Sequence, residues 1–373
     1  MPRKKLSDRY LILSLSARAL AGSLSAAGFS VAAIDVFCDQ DLDHISQKVS
    51  VFDKEKILQA INQINEKTPC KFLIVGGGIE SCPELLDQLP DYMVLLGNFP
   101  DVLQVTSNPQ TFFKRLDQLK IPHPETIFEP PAVAKDWLVK QANSCGGSGV
   151  SMFDPDQTYF PACYFQRFIE GQVCSVVFIA DSQKAKVIGY NEIWNEGEKL
   201  FKFSGAISLP NFPESLNKVI DDYLQLLTED LGLIGLCGMD FIIDDQEKIQ
   251  VLEINPRPTA TFDLHDQGGE LMLQHINVCK KGKLNSDWII RTDHSYAKRI
   301  LYAEEPTKID QNIQWPDWAA DLPHRDQIVN AYDPVCTIYA DGKSLNETKE
   351  LLLERITFIK GMLKNVSTNR LHY

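Results

Sequence analysis

Apolar residues recur along the first part of the chain in two alternating patterns. Short apolar runs of strand length occur at 10–15, 31–34 and 71–75, and segments with helical spacing occur at 17–27 and 54–67. This alternation is typical of a parallel α/β sheet, in which ligands bind beyond the carboxyl ends of the strands. Those ends carry Ser14, Ser16, Arg18, Asp35, Gly76, Gly77 and Gly78.

The spacing of apolar residues changes after residue 106. Helices are predicted at 111–119, 214–231, 269–280 and 345–364, and strands at 126–128, 137–140, 164–169, 297–302 and 335–339. We therefore expect an α/β protein with a parallel α/β domain over 1–106 and a central domain over 107–285, which includes a small lid at about 121–168. The last segment, 286–373, is expected to be an α+β unit that packs on the central domain.

Composition narrows the class of protein. The chain has 373 residues, of which 44% are hydrophobic and 23% charged, as in ordinary globular proteins. A net charge of −13 disfavours binding to nucleic acid or to an anionic membrane. No apolar stretch approaches the about 18 residues that span a bilayer. The nine cysteines form no C-x-x-C pair and no secretory leader is evident, so we expect reduced thiols and a cytoplasmic protein.

Three oxygen-bearing side chains fall on a predicted β-hairpin. The β-rich runs 241–243 and 248–254 flank a turn, which brings Asp240 opposite the end that carries Glu253 and Asn255. Glu253 and Asn255 are two residues apart in one strand, so their side chains share a face. Such ligands suit Mg²⁺, with Mn²⁺ as an alternative, because this hard cation also binds nucleotide phosphates. A plain acidic surface hairpin would not explain a carboxylate within an apolar run.

A lysine and a glycine-rich loop occur upstream of the hairpin. Lys140 ends a β-rich run, and Gly146, Gly147, Ser148 and Gly149 follow it. Glycine turns let backbone N–H groups approach phosphate oxygens closely, and a nearby lysine adds a point charge. Taken alone, the glycines are explained equally well by ordinary loop chemistry. The loop is not a Walker motif, which requires Gly-Lys-Ser/Thr at the start of a helix.

A strand that ends in glycine and an arginine after the hairpin add to the lysine, the glycine-rich loop and the hairpin. The strand that contains Gln166, Arg167 and Phe168 ends at Gly171 and is suited to presenting backbone groups to an adenine edge. Arg257, two residues after Asn255, supplies a planar fork for a phosphoryl group or an acyl phosphate. Lysine, glycine loop, hinge strand, metal ligands and arginine follow one another in the order found in ATP-grasp enzymes, and the chain resembles that superfamily over nearly its whole length.

A narrower resemblance concerns one branch of the superfamily. The chain looks like the predicted biotin-carboxylase-related carboligases found with the one-carbon (tetrahydromethanopterin and methylofuran) genes of methylotrophic bacteria. That resemblance rests on the sequences at 16–21, 36–41, 255–259 and 334–337. It implies a role in the biosynthesis of a one-carbon carrier, and dimers formed through the first domain are frequent in the superfamily, so a homodimer is possible.

The resemblance to ATP-grasp enzymes also implies roles for individual residues. Lys140 matches the lysine that contacts the α- and β-phosphates, residues 166–168 match the adenine hinge, and Asp240, Glu253 and Asn255 match the Mg²⁺ ligands. Arg257 matches the arginine that steadies the transferred phosphoryl group. The residues proposed to contact substrate are Arg18, Gly77, Gly78, Thr259, Thr261 and Asp263.

Three departures from the superfamily pattern affect the nucleotide site. Asn108 stands where many members have a first nucleotide lysine, Gln166 replaces the usual hinge glutamate, and Val173 lies where a carboxylate commonly holds the ribose. The lid between Ile121 and Phe165 is also short. These departures predict modest nucleotide affinity, or a ribose held by other groups.

Three functions remain open on the sequence alone. The first is a carboxylate–amine ligase that uses ATP and Mg²⁺ and forms an acyl phosphate from small-molecule substrates. The second is an ATP-dependent carboxylase in the manner of biotin carboxylase, ranked lower because the chain has no Met-Lys-Met acceptor sequence. The third is a nucleotide-binding subunit without turnover, which the retention of all three metal ligands and Arg257 disfavours.

Overall fold

The computed structural model describes residues 8–51, 53–67, 69–133, 135–142, 144–159, 162–197, 201–285, 288 and 294–368. The first part of the chain alternates strands and helices, as the apolar pattern predicts. Its elements are β1 (Arg9–Leu13), α1 (Arg18–Ala26), β2 (Ser30–Asp35), β3 (Gln47–Ser50), α2 (Lys54–Lys67), β4 (Phe72–Val75), β5 (Val94–Leu95), α3 (Pro100–Ser107) and α4 (Pro109–Leu119).

The first five strands form a parallel sheet in the order β3-β2-β1-β4-β5. Strand order reverses between β1 and β4, and the crevice at such a reversal is where open α/β sheets bind ligands. The β4 strand leads into glycines 76–78 on that side. A side chain at Gly76 would overlap Ser14, so only glycine allows the ends of β1 and β4 to approach this closely.

A small antiparallel sheet follows. Its strands are β6 (Thr126–Ile127), β7 (Trp137–Gln141), β8 (Val150–Met152) and β9 (Cys163–Arg167), in the order β6-β9-β7-β8. Trp137, Val139 and Phe165 form its own small core. Four short strands with so little buried apolar surface form a sheet of low intrinsic stability, which depends on packing against neighbouring elements.

The largest sheet is antiparallel and has eight strands, in the order β14-β13-β10-β11-β12-β15-β19-β17. Its elements and those packed beside it are β10 (Gly171–Asp181), β11 (Ala185–Asn195), β12 (Phe203–Ser208), α5 (Glu214–Leu231), β13 (Ile234–Asp244), β14 (Ile249–Asn255), α6 (Glu270–Lys281), β15 (Ser295–Tyr302), β16 (Thr307–Lys308), β17 (Ala319–Ala320), β18 (Ile328–Val329), β19 (Pro334–Gly342) and α7 (Leu345–Thr368). Because β12 pairs with β15, the C-terminal segment extends the central sheet. No helix among the described residues is long and apolar enough to cross a membrane.

Two buried polar side chains join the N-terminal sheet to the large sheet. Asn98, which is 1% exposed, accepts a hydrogen bond from the N–H of Ile234 (2.9 Å) and donates to the carbonyls of Ile234 (3.0 Å) and Pro256 (2.9 Å). His275 accepts from the N–H of Leu236 at Nδ1 (2.9 Å), and its Nε2 lies 3.1 Å from the carbonyl of Leu96. The imidazole must therefore be neutral and protonated at Nε2.

We predict that this histidine makes the fold sensitive to acid. Burial lowers the pKa of His275 from 6.5 to about 4, although the bond to Leu96 opposes the shift. As the pH falls from 6.5 towards 4, His275 becomes protonated in the unfolded chain but stays neutral in the folded protein. The free energy of unfolding therefore falls by up to about 1.4 kcal/mol per pH unit. His275→Gln should lower stability at neutral pH and reduce this slope, measured by urea unfolding at several pH values.

The matched control is His44→Gln, since His44 is exposed. This control should change neither the stability nor the slope. The slope of the His275→Gln variant should not vanish, because burial also lowers the pKa of His265 to about 4. An unchanged slope in the His275→Gln variant would contradict the assignment.

Candidate functional site

The β13–β14 hairpin brings the three candidate metal ligands together. Asp240 pairs directly with Glu253, and Gly238 pairs with Asn255, with a β-bulge after Asp240. The Asn255 side-chain amide donates to Glu253 Oε1 over 3.0 Å, so these two side chains do lie on one face. The predicted hairpin and its register are confirmed, and one amide and two carboxylates line the same patch of the sheet.

The surroundings of Asp240 disfavour its negative charge. The pKa of Asp240 is raised well above its usual range by burial, by the charge of Glu253 and by a hydrogen bond to Glu253, while Arg257 and Lys140 oppose the shift. A divalent cation bound here would favour the charged form of this carboxyl, and oxygen ligands suit Mg²⁺ or Mn²⁺. The donor set fits such an ion, although no cluster of three His, Cys, Asp or Glu occurs among the described residues.

The small sheet places Lys140 close to the β13–β14 hairpin. Burial lowers the pKa of Lys140, and the nearby charges of Glu253 and Asp240 oppose that effect. Tyr164, which pairs with Lys140 across β7 and β9, also lies near Glu253, since that carboxylate adds to the effect of burial in raising the pKa of the phenol. Lys140, which belongs to the small sheet, therefore lies close enough to the two hairpin carboxylates for their charges to act on it.

The glycine-rich loop lies near the same charged residues. Cys145, at the start of the loop, is exposed to solvent, and the charges of Arg257, Glu80 and Glu253 act on its thiol. Gly146 and Gly147 have positive φ values of 61° and 73°. A side chain at Gly147 would overlap the carbonyl of Phe201, so glycine is needed here for packing as well as for close approach to a ligand. Ser148 donates through Oγ to the carbonyl of Cys145 (2.9 Å), and Gly149 accepts from the N–H of Gln141 (2.8 Å).

Arg257 connects the hairpin to the N-terminal domain. Its Nε donates to Glu80, its Nη2 donates to Asn255 Oδ1 (3.0 Å), and its Nη1 donates to the carbonyl of Pro258 (3.2 Å). Only 8% of Arg257 is exposed; burial opposes its charge, yet Glu80 raises the pKa of the guanidinium above its usual value. A permanent positive charge is thus fixed beside the candidate metal ligand Asn255.

The predicted adenine hinge has its side chains already engaged. Gln166 is buried and donates to Thr126 Oγ1 over 3.0 Å, and the guanidinium of Arg167 stacks on Trp137 with its carbon 4.4 Å from the ring centroid. Phe168 lies beside Phe201. The N–H groups of Arg167 and Phe168 bond to Glu125 and Asp136. An adenine would therefore have to be read by other backbone groups of this segment, and the assignment of Gln166, Arg167 and Phe168 stays a prediction.

The proposed substrate residues fall into two groups. Gly77 lies against the guanidinium of Arg257, and the N–H of Gly78 donates to Glu80 Oε2 (2.9 Å). The hydroxyls of Thr259 and Thr261 lie 3.1 Å apart. These four residues lie within reach of the hairpin. Arg18 and Asp263 belong to a separate network of hydrogen bonds and ion pairs.

Arg18 and Asp263 take part in a buried ion network between the N- and C-terminal parts of the chain. Arg18 donates to Asp321 Oδ1 (2.9 Å) and to the hydroxyl of Tyr339 (2.8 Å), and that hydroxyl donates to Asp263 Oδ2 (2.6 Å). Lys298 pairs with Asp263 (2.8 Å). Both predicted contact residues are therefore neutralised by partners within the protein.

The departures noted in the sequence have structural explanations. Asn108 is the N-cap of α4, where its Oδ1 accepts from the N–H groups of Gln110 (3.0 Å) and Thr111 (3.3 Å). Such a cap contributes about 1 kcal/mol to helix stability. Val173 pairs with Ile242 in the large sheet. Both residues therefore have structural roles, and modest nucleotide affinity stays a prediction.

Comparison with known proteins identifies the class of this fold. Residues 106–261 match the family described as the ATP-grasp domain. An uncharacterized protein of Methanocaldococcus jannaschii is 25% identical over 89% of this chain and 88% of its own length. Biotin carboxylase from Campylobacter jejuni superposes with a TM-score of 0.75 at 14% identity, covering 94% of this chain and 91% of that one. The L-amino acid ligase of Bacillus licheniformis gives 0.72 at 14% identity, covering 94% and 98%.

These comparisons confirm the predicted fold class. The chain has the α/β ATP-grasp fold, with an N-terminal parallel sheet followed by antiparallel sheets, and residues 106–261 match the ATP-grasp domain family. At 14% identity, the likeness to the two solved enzymes shows the fold and carries no substrate with it.

Sequence reasoning missed the residues that hold the site together. Glu80, which fixes Arg257, and Asn98, which fixes the turn after β14, lie far from their partners along the chain. A polar residue in an otherwise apolar surrounding was the only local signal at Asn98, which follows Leu95, Leu96 and Gly97. Their importance follows from contacts between domains, which local spacing does not encode.

We predict that the hairpin carboxylates are needed for metal-dependent nucleotide binding and not for folding. Glu253→Gln should weaken Mg²⁺-dependent ADP binding by about tenfold to a hundredfold, measured by isothermal titration calorimetry. Asp240→Asn should do the same while leaving the melting temperature of the ligand-free protein within about 2 °C, because burial and the charge of Glu253 raise the pKa of this carboxyl well above its usual range and its negative charge therefore stabilises the fold little.

Asp245→Asn serves as a control, because Asp245 is exposed in the turn of the same hairpin. Its ADP affinity should equal that of the wild type. Undiminished Mg²⁺-dependent binding by Glu253→Gln and Asp240→Asn would rule out the hairpin as the metal site.

Proposed function

We propose that this protein is an ATP-dependent carboxylate–amine ligase that activates its acid substrate as an acyl phosphate. The observation that carries the proposal is the convergence of Asp240, Glu253 and Asn255 with Lys140 and Arg257 around one cleft of an ATP-grasp fold. Two carboxylates with two cations nearby would suit a polyphosphate and its counterion.

The proposed reaction has two steps. A carboxylate oxygen of the substrate attacks the γ-phosphorus of ATP, the bond from that phosphorus to the bridging oxygen breaks, and ADP leaves. The amine nitrogen then attacks the acyl carbon, an amide forms, and inorganic phosphate leaves with the electron pair while the nitrogen loses its proton. Mg²⁺ supplies charge neutralisation of the phosphates when it is bound.

The side chains of the protein would position the substrates and neutralise the charge of the phosphates. Asp240, Glu253 and Asn255 would hold the metal ion, and Lys140 would bind phosphate oxygens from the opposite wall of the cleft. Arg257 is held by Glu80 and Asn255, so its fork is fixed before substrate arrives. Preorganised charge of this kind lowers the barrier because no reorganisation is needed during phosphoryl transfer. The glycine-rich loop, which lies over the cleft, would limit access of water.

The structurally similar enzymes reported above include one of each candidate class, a ligase and a carboxylase. The L-amino acid ligase of Bacillus licheniformis is matched over 98% of its length, and biotin carboxylase from Campylobacter jejuni over 91%. A carboxylase that consumes bicarbonate is therefore the second candidate. The relatives reported above name no one-carbon pathway, so one-carbon-carrier precursors enter only as substrates to be tested.

The proposal predicts release of ADP and phosphate that depends on two substrates together. Purified protein with Mg-ATP should be tested against pools of amino acids, polyamines and one-carbon-carrier precursors, with bicarbonate in a separate arm and Glu253→Gln as the blank. Release that needs both an acid and an amine, with a condensed product by mass spectrometry, supports the ligase. Release that needs bicarbonate instead would transfer the proposal to the carboxylase.

The same assay can contradict both enzymatic candidates. ATP binding without release above the Glu253→Gln blank, in every pool and with bicarbonate, would overturn the ligase in favour of a nucleotide-binding subunit. Asp245→Asn should retain full activity, which separates loss of the site from a general effect of altering the hairpin.

A further inference from the structure

The glycine-rich loop is attached to the large sheet by the residues that begin β12. The N–H of Phe203 donates to the carbonyl of Gly146 over 2.9 Å. The carbonyl of Phe201 lies against Gly147, where a side chain would overlap it. Both contacts fall on glycines with positive φ values, 61° and 73°. The loop is therefore bound through its backbone at the two positions where that backbone is left-handed.

A tyrosine of the C-terminal segment holds the same residue of β12. The hydroxyl of Tyr302, the last residue of β15, donates to the carbonyl of Phe203 over 2.8 Å. Burial raises the pKa of Tyr302 to about 12, so the hydroxyl keeps its proton and is a donor at neutral pH. Phe203 thus accepts a hydrogen bond from Tyr302 and donates one to Gly146, and it links the two.

Lys202 holds the ring of the same tyrosine. Its ammonium lies 3.9 Å from the centroid of the Tyr302 ring and donates to the carbonyl of Tyr332 over 2.9 Å. A cation placed over an aromatic face is attracted to it. The carbonyl of Lys202 accepts from the N–H of Glu196 (2.8 Å), which ties β12 back to the end of β11. The ring and the hydroxyl of Tyr302 are therefore both engaged by the residues that touch the loop.

The loop that is attached in this way belongs to the candidate site. Cys145, at its start, lies close enough to Arg257, Glu80 and Glu253 for their charges to act on its thiol. A glycine-rich loop binds phosphate through backbone N–H groups, which are aimed only if the backbone is fixed. The loop joins β7 and β8 of the small sheet, whose own core is small. Support from the large sheet and the C-terminal segment therefore matters for the direction of these groups.

We propose that Tyr302 is a positioning residue: through Phe203 it fixes the glycine-rich loop in the conformation that would bind nucleotide phosphates. The identity of the ligand rests on the proposed function, whereas the attachment of the loop does not. Without the hydroxyl, the first residue of β12 loses one of its two partners outside its own hairpin, and the loop should open more often by local unfolding.

Hydrogen exchange of the ligand-free protein tests the attachment apart from any reaction. The amides to follow are those of Ser148, Val150 and Phe203, which donate to carbonyls of the loop. Tyr302→Phe should raise their exchange rates about threefold to tenfold, measured by mass spectrometry on the peptides that carry them, because one supporting hydrogen bond is lost. Amides of β10, in the middle of the large sheet, should exchange as in the wild type, which excludes a general loss of stability.

Tyr332→Phe is the matched control. The side chain of Tyr332 is 76% exposed and lies in the same C-terminal segment, so loss of its hydroxyl should leave exchange of the loop unchanged. Should Tyr302→Phe fail to fold, Lys202→Met takes its place with the same expectation, because it removes the cation that holds the tyrosine ring. Equal acceleration in Tyr332→Phe would overturn the proposal.

Nucleotide release gives a readout that a merely structural role would not move. Tyr302→Phe should raise the dissociation rate of a fluorescent ADP analogue with Mg²⁺ about threefold to tenfold, measured by stopped flow. In an active enzyme the KM for ATP should rise by a similar factor, while the KM for the acid substrate stays unchanged.

A double-mutant cycle checks that the tyrosine acts through the loop. Gly147→Ala places a side chain against the carbonyl of Phe201 and disrupts the same attachment. Combined with Gly147→Ala, Tyr302→Phe should therefore cause little further loss of ADP affinity. Losses that add in full would overturn the proposal.

The outcomes separate this proposal from the proposed function. Wild-type exchange of the loop amides in Tyr302→Phe overturns the positioning role even if ATP is turned over. Faster exchange with an unchanged rate of ADP release also overturns it, since the loop would then move without consequence for the nucleotide. Faster exchange and faster ADP release, without ATP turnover in any pool, support the positioning role and overturn only the ligase.

Discussion

Two carboxyl groups held opposite each other on one β-hairpin impose the main constraint on this molecule. Asp240 and Glu253 are cross-strand neighbours, and the register of β13 and β14 does not let them move apart. Burial and the charge of Glu253 raise the pKa of Asp240 well above its usual range. The two nearby cations, Lys140 and Arg257, oppose that shift without cancelling it. A ligand that carries both a metal ion and phosphate groups would complement this set of charges, as the proposed function requires.

The surrounding structure keeps those charges in place. Glu80 from the N-terminal domain holds Arg257, and Arg257 in turn holds Asn255. Asn98 fixes the carbonyl of Pro256, the residue between them. The same few bonds therefore join the N-terminal part of the chain to the hairpin and orient a candidate metal ligand.

The spacing of apolar residues was sufficient to predict those elements whose sequence signal lies within a few neighbouring residues. The hairpin ligands follow from a period of two along a strand, and helices at 54–67 and 214–231 have the bounds that the apolar spacing indicates. The strand β3 was missed because Gln47–Ser50 is a half-exposed edge with one apolar residue. Glu80 and Asn98 were missed for a different reason: their partners lie 177 and 136 to 158 residues away, and only the folded chain brings them together. The pairing of Gln166 with Thr126, 40 residues away, is of the same kind.

A crystal structure of the protein with Mn²⁺ and ADP, recorded with anomalous scattering, tests the central claim most directly. The account predicts one strong manganese peak at about 2.0–2.2 Å from oxygens of Asp240, Glu253 and Asn255, with the nucleotide phosphates between that peak and Lys140. A manganese peak elsewhere, or a nucleotide bound outside this cleft, would contradict it. In that case the carboxylate pair of the hairpin would be a structural feature, and the catalytic centre would have to be sought in another part of the molecule.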